Sequence, residues 1–92
     1  MSDTAIGQRS ARAKQKAERD LESMGYTVIH SDNRRVCLVG IRSQEVRLVK
    51  VCLDKITPGD TKAMQDIPIP TNCSREMWLR KEGSSRFEIH KL

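Results

Sequence analysis

The stretch Val36-Cys37-Leu38-Val39-Gly40-Ile41-Arg42-Ser43-Gln44-Glu45-Val46-Arg47-Leu48-Val49-Lys50-Val51-Cys52-Leu53 decides the fold class. Its first six residues are nearly apolar at both parities, as a strand covered on both faces requires. Arg42 to Glu45 interrupts the run as a hairpin connection, and from Val46 the apolar pattern resumes. Successive side chains of a strand point to opposite faces, so Val46, Leu48, Lys50 and Cys52 share one face while Arg47, Val49, Val51 and Leu53 share the other. Lys50 is thus a lone cation on an otherwise apolar face.

Upstream, Ala13, Ala17, Leu21 and Met24 form one stripe of a helix running from about Gly7 to Met24. Gly25 follows, where a left-handed residue closes a helix. Tyr26-Thr27-Val28-Ile29-His30 is β-branched and aromatic and reads as the first strand, with Ser31-Asp32-Asn33 as its exit turn. Downstream, Thr57-Pro58-Gly59-Asp60 is a turn, and Asp60 is expected to cap a short helix through Asp66 before Pro68 and Pro70 forbid its continuation. From Arg75 to Leu92 the pattern predicts a β-hairpin, with Trp78, Phe87 and Ile89 completing the core. The expectation is one α/β (α+β) domain over residues 1–92: an N-terminal helix, a three-stranded mostly antiparallel sheet and a C-terminal β-hairpin.

A 92-residue chain has room for one thin core, since it buries only about two-thirds of its unfolded surface. The 37 % hydrophobic and 32 % charged fractions fit a folded soluble chain rather than a disordered one. No stretch approaches the ~18 apolar residues of a membrane span or a signal-peptide core, so cytoplasmic location and no membrane partner are expected. Three cysteines, Cys37, Cys52 and Cys73, fit neither a disulfide scaffold nor a paired zinc motif and read as free thiols. Seventeen Lys and Arg against twelve Asp and Glu give a formal +5, which favours anionic partners.

The phrase Ala17-x-x-x-Leu21-x-x-x-Gly25-Tyr26, then Cys37-Leu38-Val39-Gly40-Ile41, then Leu48-Val49-Lys50-Val51-Cys52 resembles the opening of PD-(D/E)xK nucleases, the restriction-endonuclease-like and Holliday-junction-resolvase-like domains. The resemblance covers residues 7 to 54. It implies a restriction-endonuclease-like core in which an aspartate on the second strand, and an acid with a lysine two residues on along the third, meet at a magnesium site. Set onto this chain, the aspartate falls at Cys37, the acid at Lys50, the lysine at Cys52 and a helix glutamate near Lys14. All the expected acids are replaced. Two thiols and an ammonium group offer nothing to a hard, oxygen-seeking cation, so no cofactor and no cleavage by that mechanism are expected. The resemblance also implies a longer second helix and a fourth strand, where this chain shows a short proline-ended segment and an apparent hairpin.

Cys37 and Cys52 are expected to face one another across the hairpin, with His30 on the adjoining strand, and core packing is their expected role because zinc requires four placed ligands. Arg9, Arg12, Lys14, Lys16 and Arg19 on the helix, Arg34 and Arg35 in the loop before the second strand, and Lys50 are the candidates for contact with a phosphate backbone. Glu18, Asp20 and Glu22 interleave with the helix cations, as on any solvated helix face. Few aromatic residues means contact to backbone rather than bases. The expected function is a catalytically degenerate nuclease-like domain that binds DNA or RNA backbone or serves a nucleic-acid-processing partner. Two alternatives stand beside it: a homo-oligomeric assembly module pairing through an edge strand or the terminal hairpin, and a metal-dependent nuclease whose site has moved to Asp32 and Glu45.

Overall fold

The computed structural model describes residues 2–33 and 35–92, with side chains of the first helix from Gln8 onward. The elements in chain order are α1 (Ser2–Ser23), β1 (Thr27–His30), β2 (Leu38–Arg42), β3 (Glu45–Leu53), α2 (Pro58–Gln65), β4 (Cys73–Arg80) and β5 (Glu88–Lys91). The helical stripe buries Ala13, Ala17 and Leu21 completely, whereas Met24 is partly exposed. The helix ends as a Schellman motif: the Tyr26 N–H donates to the Leu21 carbonyl and the Gly25 N–H to that of Glu22, with Gly25 at φ +92°. That turn drops Tyr26 back onto Leu21 in the core.

The five strands form one mixed sheet in the order β1-β2-β3-β4-β5. β1, β2 and β3 are an antiparallel meander in which Leu38 pairs with Val49 and Gly40 with Arg47. Sequence patterning predicts a three-stranded sheet with a hairpin beside it, and here the structure differs. β4 runs parallel to β3, Lys50 opposite Met77 and Val51 opposite Trp78, and β5 closes antiparallel on β4. The reason is α2, which carries the chain back to the starting end of β3. Thr57, rather than Asp60, caps it, accepting the Asp60 N–H at 3.1 Å with Pro58 in the first turn. The expected C-terminal hairpin forms, as β4 paired with β5, but β4 is buried on both faces from Glu76 to Leu79, so its first strand lies inside the sheet rather than beside it.

Two apolar clusters lie on opposite faces of the sheet. Under α1, Ala17, Leu21, Tyr26, Cys37, Leu38, Val49 and Trp78 pack together, with Val28, Val51 and Phe87 at the margin. Under α2, Val36, Cys52, Met64, Met77 and Leu79 pack with Leu48 and Ile56. The alternation read from β3 therefore holds. Gly40 passes beneath α1, where an added Cβ would come within 3.3 Å of the Tyr26 ring. Among the described residues no helix is long and apolar enough to cross a membrane.

Candidate nucleic-acid interface

β3 and β4 are parallel, so both finish at one end of the sheet, and α1 begins over that same end. An open cleft of about 380 Å³ results, lined by Arg9 and Arg12 of α1, Leu53, Arg80, and the β4–β5 connection from Lys81 to Ser85. The Asp54 carboxylate braces it, accepting from the Arg9 guanidinium at 3.0 Å and from the Glu82 N–H at 3.2 Å. The hydrogen bond from Arg9 holds the Asp54 carboxyl below its usual range, and the same bond raises Arg9. Asp54 reaches this position at φ 65°, with its own N–H bonded to the Arg80 carbonyl. Gly83 turns the connection at φ +80°, and Lys81 pairs with Glu88 at 3.0 Å. Among the described residues no carboxylate pairs with Arg12 or Arg80. Two guanidinium groups from different elements thus face the cleft with their donors uncommitted to acids of the described residues.

The cations proposed from sequence divide between two sides of the helix. Arg9, Arg12, Lys16 and Arg19 lie within roughly one third of the helical circumference, whereas Lys14 is turned roughly 140–160° from Arg9 and Arg12. Lys16 continues the first flank past the cleft, with its ammonium 6.0 Å from the centre of the Phe87 ring, and it pairs with Asp20. Lys14 shares its flank with Glu18, which bonds His30 on β1. Arg35 is exposed in the loop after β1, its N–H held by Asn33. Arg34 lies outside the described residues. Arg80 and Lys81 escaped sequence reading. They form the Arg-Lys end of an apolar strand just before a Gly-Ser-Ser turn, but only parallel pairing of β3 with β4 sets them beside the helix.

The four positions matched to nuclease acids and lysine do not share a surface. Cys37 packs in the α1-side cluster and Cys52 in the α2-side cluster. The Cys37 N–H donates to the Val49 carbonyl, three residues short of Cys52, so the two are not direct cross-strand partners, although Cys37 lies within electrostatic reach of Cys52. Lys50 is half-buried on the α2 side, where it and Asp60 both lie within electrostatic reach of Cys52. Moving the match by one residue brings Val49 and Val51 under α1, and these carry no acid either. No group of three His, Cys, Asp or Glu side chains among the described residues could hold a metal ion.

Asp32 and Glu45 stand at opposite ends of β2. Asp32 follows the His30–Leu38 pair and Glu45 opposes Arg42, so at least four strand steps, about 13 Å, separate them. Two ligands of one magnesium ion each lie about 2 Å from it. Glu45 instead serves the fold: it pairs with Arg42 at 2.9 Å and accepts from the Tyr26 hydroxyl, the chief cause of its lowered pKa. Tyr26 in turn accepts from Arg47 at 2.7 Å, and the Arg42 guanidinium stacks 4.6 Å from its ring.

No protein-family model matches this chain, and no curated protein matches it.

Proposed function

We propose that this domain holds the phosphate backbone of DNA or RNA in the cleft at the end of β3 and β4, and does not cleave it. The carrying observation is the convergence of Arg12 and Arg80, without carboxylate partners among the described residues, beside Arg9 and Lys81 in an open cleft. Guanidinium groups supply planar, bidentate donors matched to phosphate oxygens, and a backbone ligand needs no base-reading groups. The order helix, three antiparallel strands, helix, fourth strand supports a restriction-endonuclease-like reading, with an α2 of eight residues where the resemblance implies a longer helix. Lys14, Cys37, Lys50 and Cys52 in place of the expected acids and lysine support loss of metal-dependent chemistry.

The test is binding to labelled duplex, branched and single-stranded DNA and to RNA across a salt series, with magnesium present and products run on a denaturing gel. The two guanidinium groups without acid partners among the described residues give a slope of log affinity on log salt near −1.8 for duplex, roughly 0.9 per contact. Intact strands, and binding lost in the Arg12→Ala/Arg80→Ala double variant, are the expected results. Magnesium-dependent cleavage, or binding indifferent to both substitutions, overturns the proposal.

A further inference from the structure

The two edges of the sheet are guarded differently. β5, with Glu88 and Lys91, carries the charges that keep an exposed edge from pairing. β1 is Thr-Val-Ile-His, with no permanent charge, and it is the other edge. Its main-chain groups divide by position. The Ser31 N–H bonds the Cys37 carbonyl, so in this antiparallel register residues 27, 29 and 31 bond β2 while the N–H and C=O of Val28 and His30 point away from the sheet.

An uncovered apolar face adjoins that edge. α2 is only eight residues long and packs over β3 and β4, which leaves the β1–β2 half of its face bare. Ile29 is 50 % exposed and Ile41 39 %, beside half-buried Val39 and Val46. The molecule exposes 6200 Å². A compact 10.5 kDa monomer exposes about 5,400 Å², so this chain carries more surface than a compact monomer of its mass, Ile29 and Ile41 included.

We infer that a second copy of this chain covers this region by antiparallel β1–β1 pairing about a two-fold axis at Ile29. One register uses all the outward groups within the strand: Val28 of one copy exchanges both main-chain bonds with the partner's His30, and the reverse. Ile29 then lies directly opposite the partner's Ile29 on the bare face, as a non-hydrogen-bonded pair with its short side-chain separation. The same register sets Asp32 level with the partner's Tyr26, over whose ring the partner's Arg42 stacks, so Asp32 becomes a second acid partner for a guanidinium that Glu45 already holds. The two sheets become one ten-stranded sheet with both copies of α1 on one side.

Sedimentation of the full chain without nucleic acid, from about 1 to 100 µM, tests this. The wild-type protein is expected to sediment as a dimer. Ile29→Lys and Ile29→Glu, each checked as folded by circular dichroism, are expected to be monomers because like charges then face each other on the axis. An equimolar mixture of the two restores the dimer. Ile41→Lys, on the same face but off the axis, serves as a second weakening variant should either exchange at position 29 unfold the chain. A wild-type monomer at 100 µM, or a charge-exchange mixture that stays monomeric, overturns the inference while leaving phosphate binding to be judged separately.

Discussion

Glu76 is fully buried on β4, and three donors converge on its carboxylate: Trp78 Nε1 at 2.9 Å, the Ser74 hydroxyl at 2.9 Å and the Arg47 guanidinium at 3.4 Å. A buried charge is tolerated only when so satisfied, and removing one partner strands the others. Glu76→Ala is expected to lower stability by about 3 kcal/mol, read from the urea midpoint at unchanged m-value. Glu76→Gln keeps an acceptor for Trp78 and costs less. Cys52 makes a second prediction at this scale. Burial pushes its thiol up to about 11 from an ordinary 9.0, with the Asp60 charge adding to the effect. Below about pH 9 the thiol is neutral in folded and unfolded chains alike, and its contribution is fully present. Above that, the unfolded chain releases its proton first, so stability falls as pH rises from about 9 to about 11. Burial likewise raises the Tyr26 hydroxyl and adds a loss of the same sign. Urea midpoints measured at about pH 7, 9 and 10.5 are expected to fall more steeply in the wild type than in Cys52→Ala.

The β2–β3 connection is Ser43-Gln44, and Ser43 sits at φ 44°, in the left-handed region that disfavours a residue with a Cβ. Ser43→Gly is expected to relieve about 1 kcal/mol and to raise the melting temperature by a few degrees, measured by thermal circular dichroism. Asp54 at φ 65° provides the contrast. Asp54→Gly gains the same backbone freedom but loses the hydrogen bonds from Arg9 and Glu82, so it is expected not to raise the midpoint. The elements themselves were legible because each carries a local signal: the Ala13-Ala17-Leu21 stripe, the glycine stop, the β-branched runs and the prolines after α2. Element partners were less so. Nothing in Cys73 to Arg80 states that it pairs parallel with β3, because a strand buried on both faces reads much like the first arm of a hairpin.

Over the whole molecule, a net +5 is spread through a surface that also carries ion pairs such as Arg9–Asp54, Lys16–Asp20 and Lys81–Glu88, so location decides what the charge can do. Charge reversal separates the two flanks of α1. Arg12→Glu and Arg80→Glu are each expected to weaken duplex binding about tenfold or more and to flatten the salt dependence, as loss of a direct phosphate contact does. Lys14→Glu changes the net charge equally from the other flank. It is expected to weaken binding less, with the salt slope nearly unchanged, in the same fluorescence-anisotropy titration.

Local chemistry in the chain determined the helix and its Schellman end, the β1–β3 meander, the two faces of β3 and the free thiols, since propensity, turn geometry and alternation act over a few residues. Half of the candidate cleft was legible the same way, through Arg9 and Arg12 on a helix whose apolar stripe fixes their direction. Only the tertiary structure decided that Arg80 and Lys81 complete it, that Lys14 does not belong to it, that Cys37 and Cys52 lie on opposite faces, and that β1 is left as an unguarded edge. Each of these depends on which strand lies beside which, and that choice is made by the burial of both faces of β4 between two helices rather than by any residue's own preference.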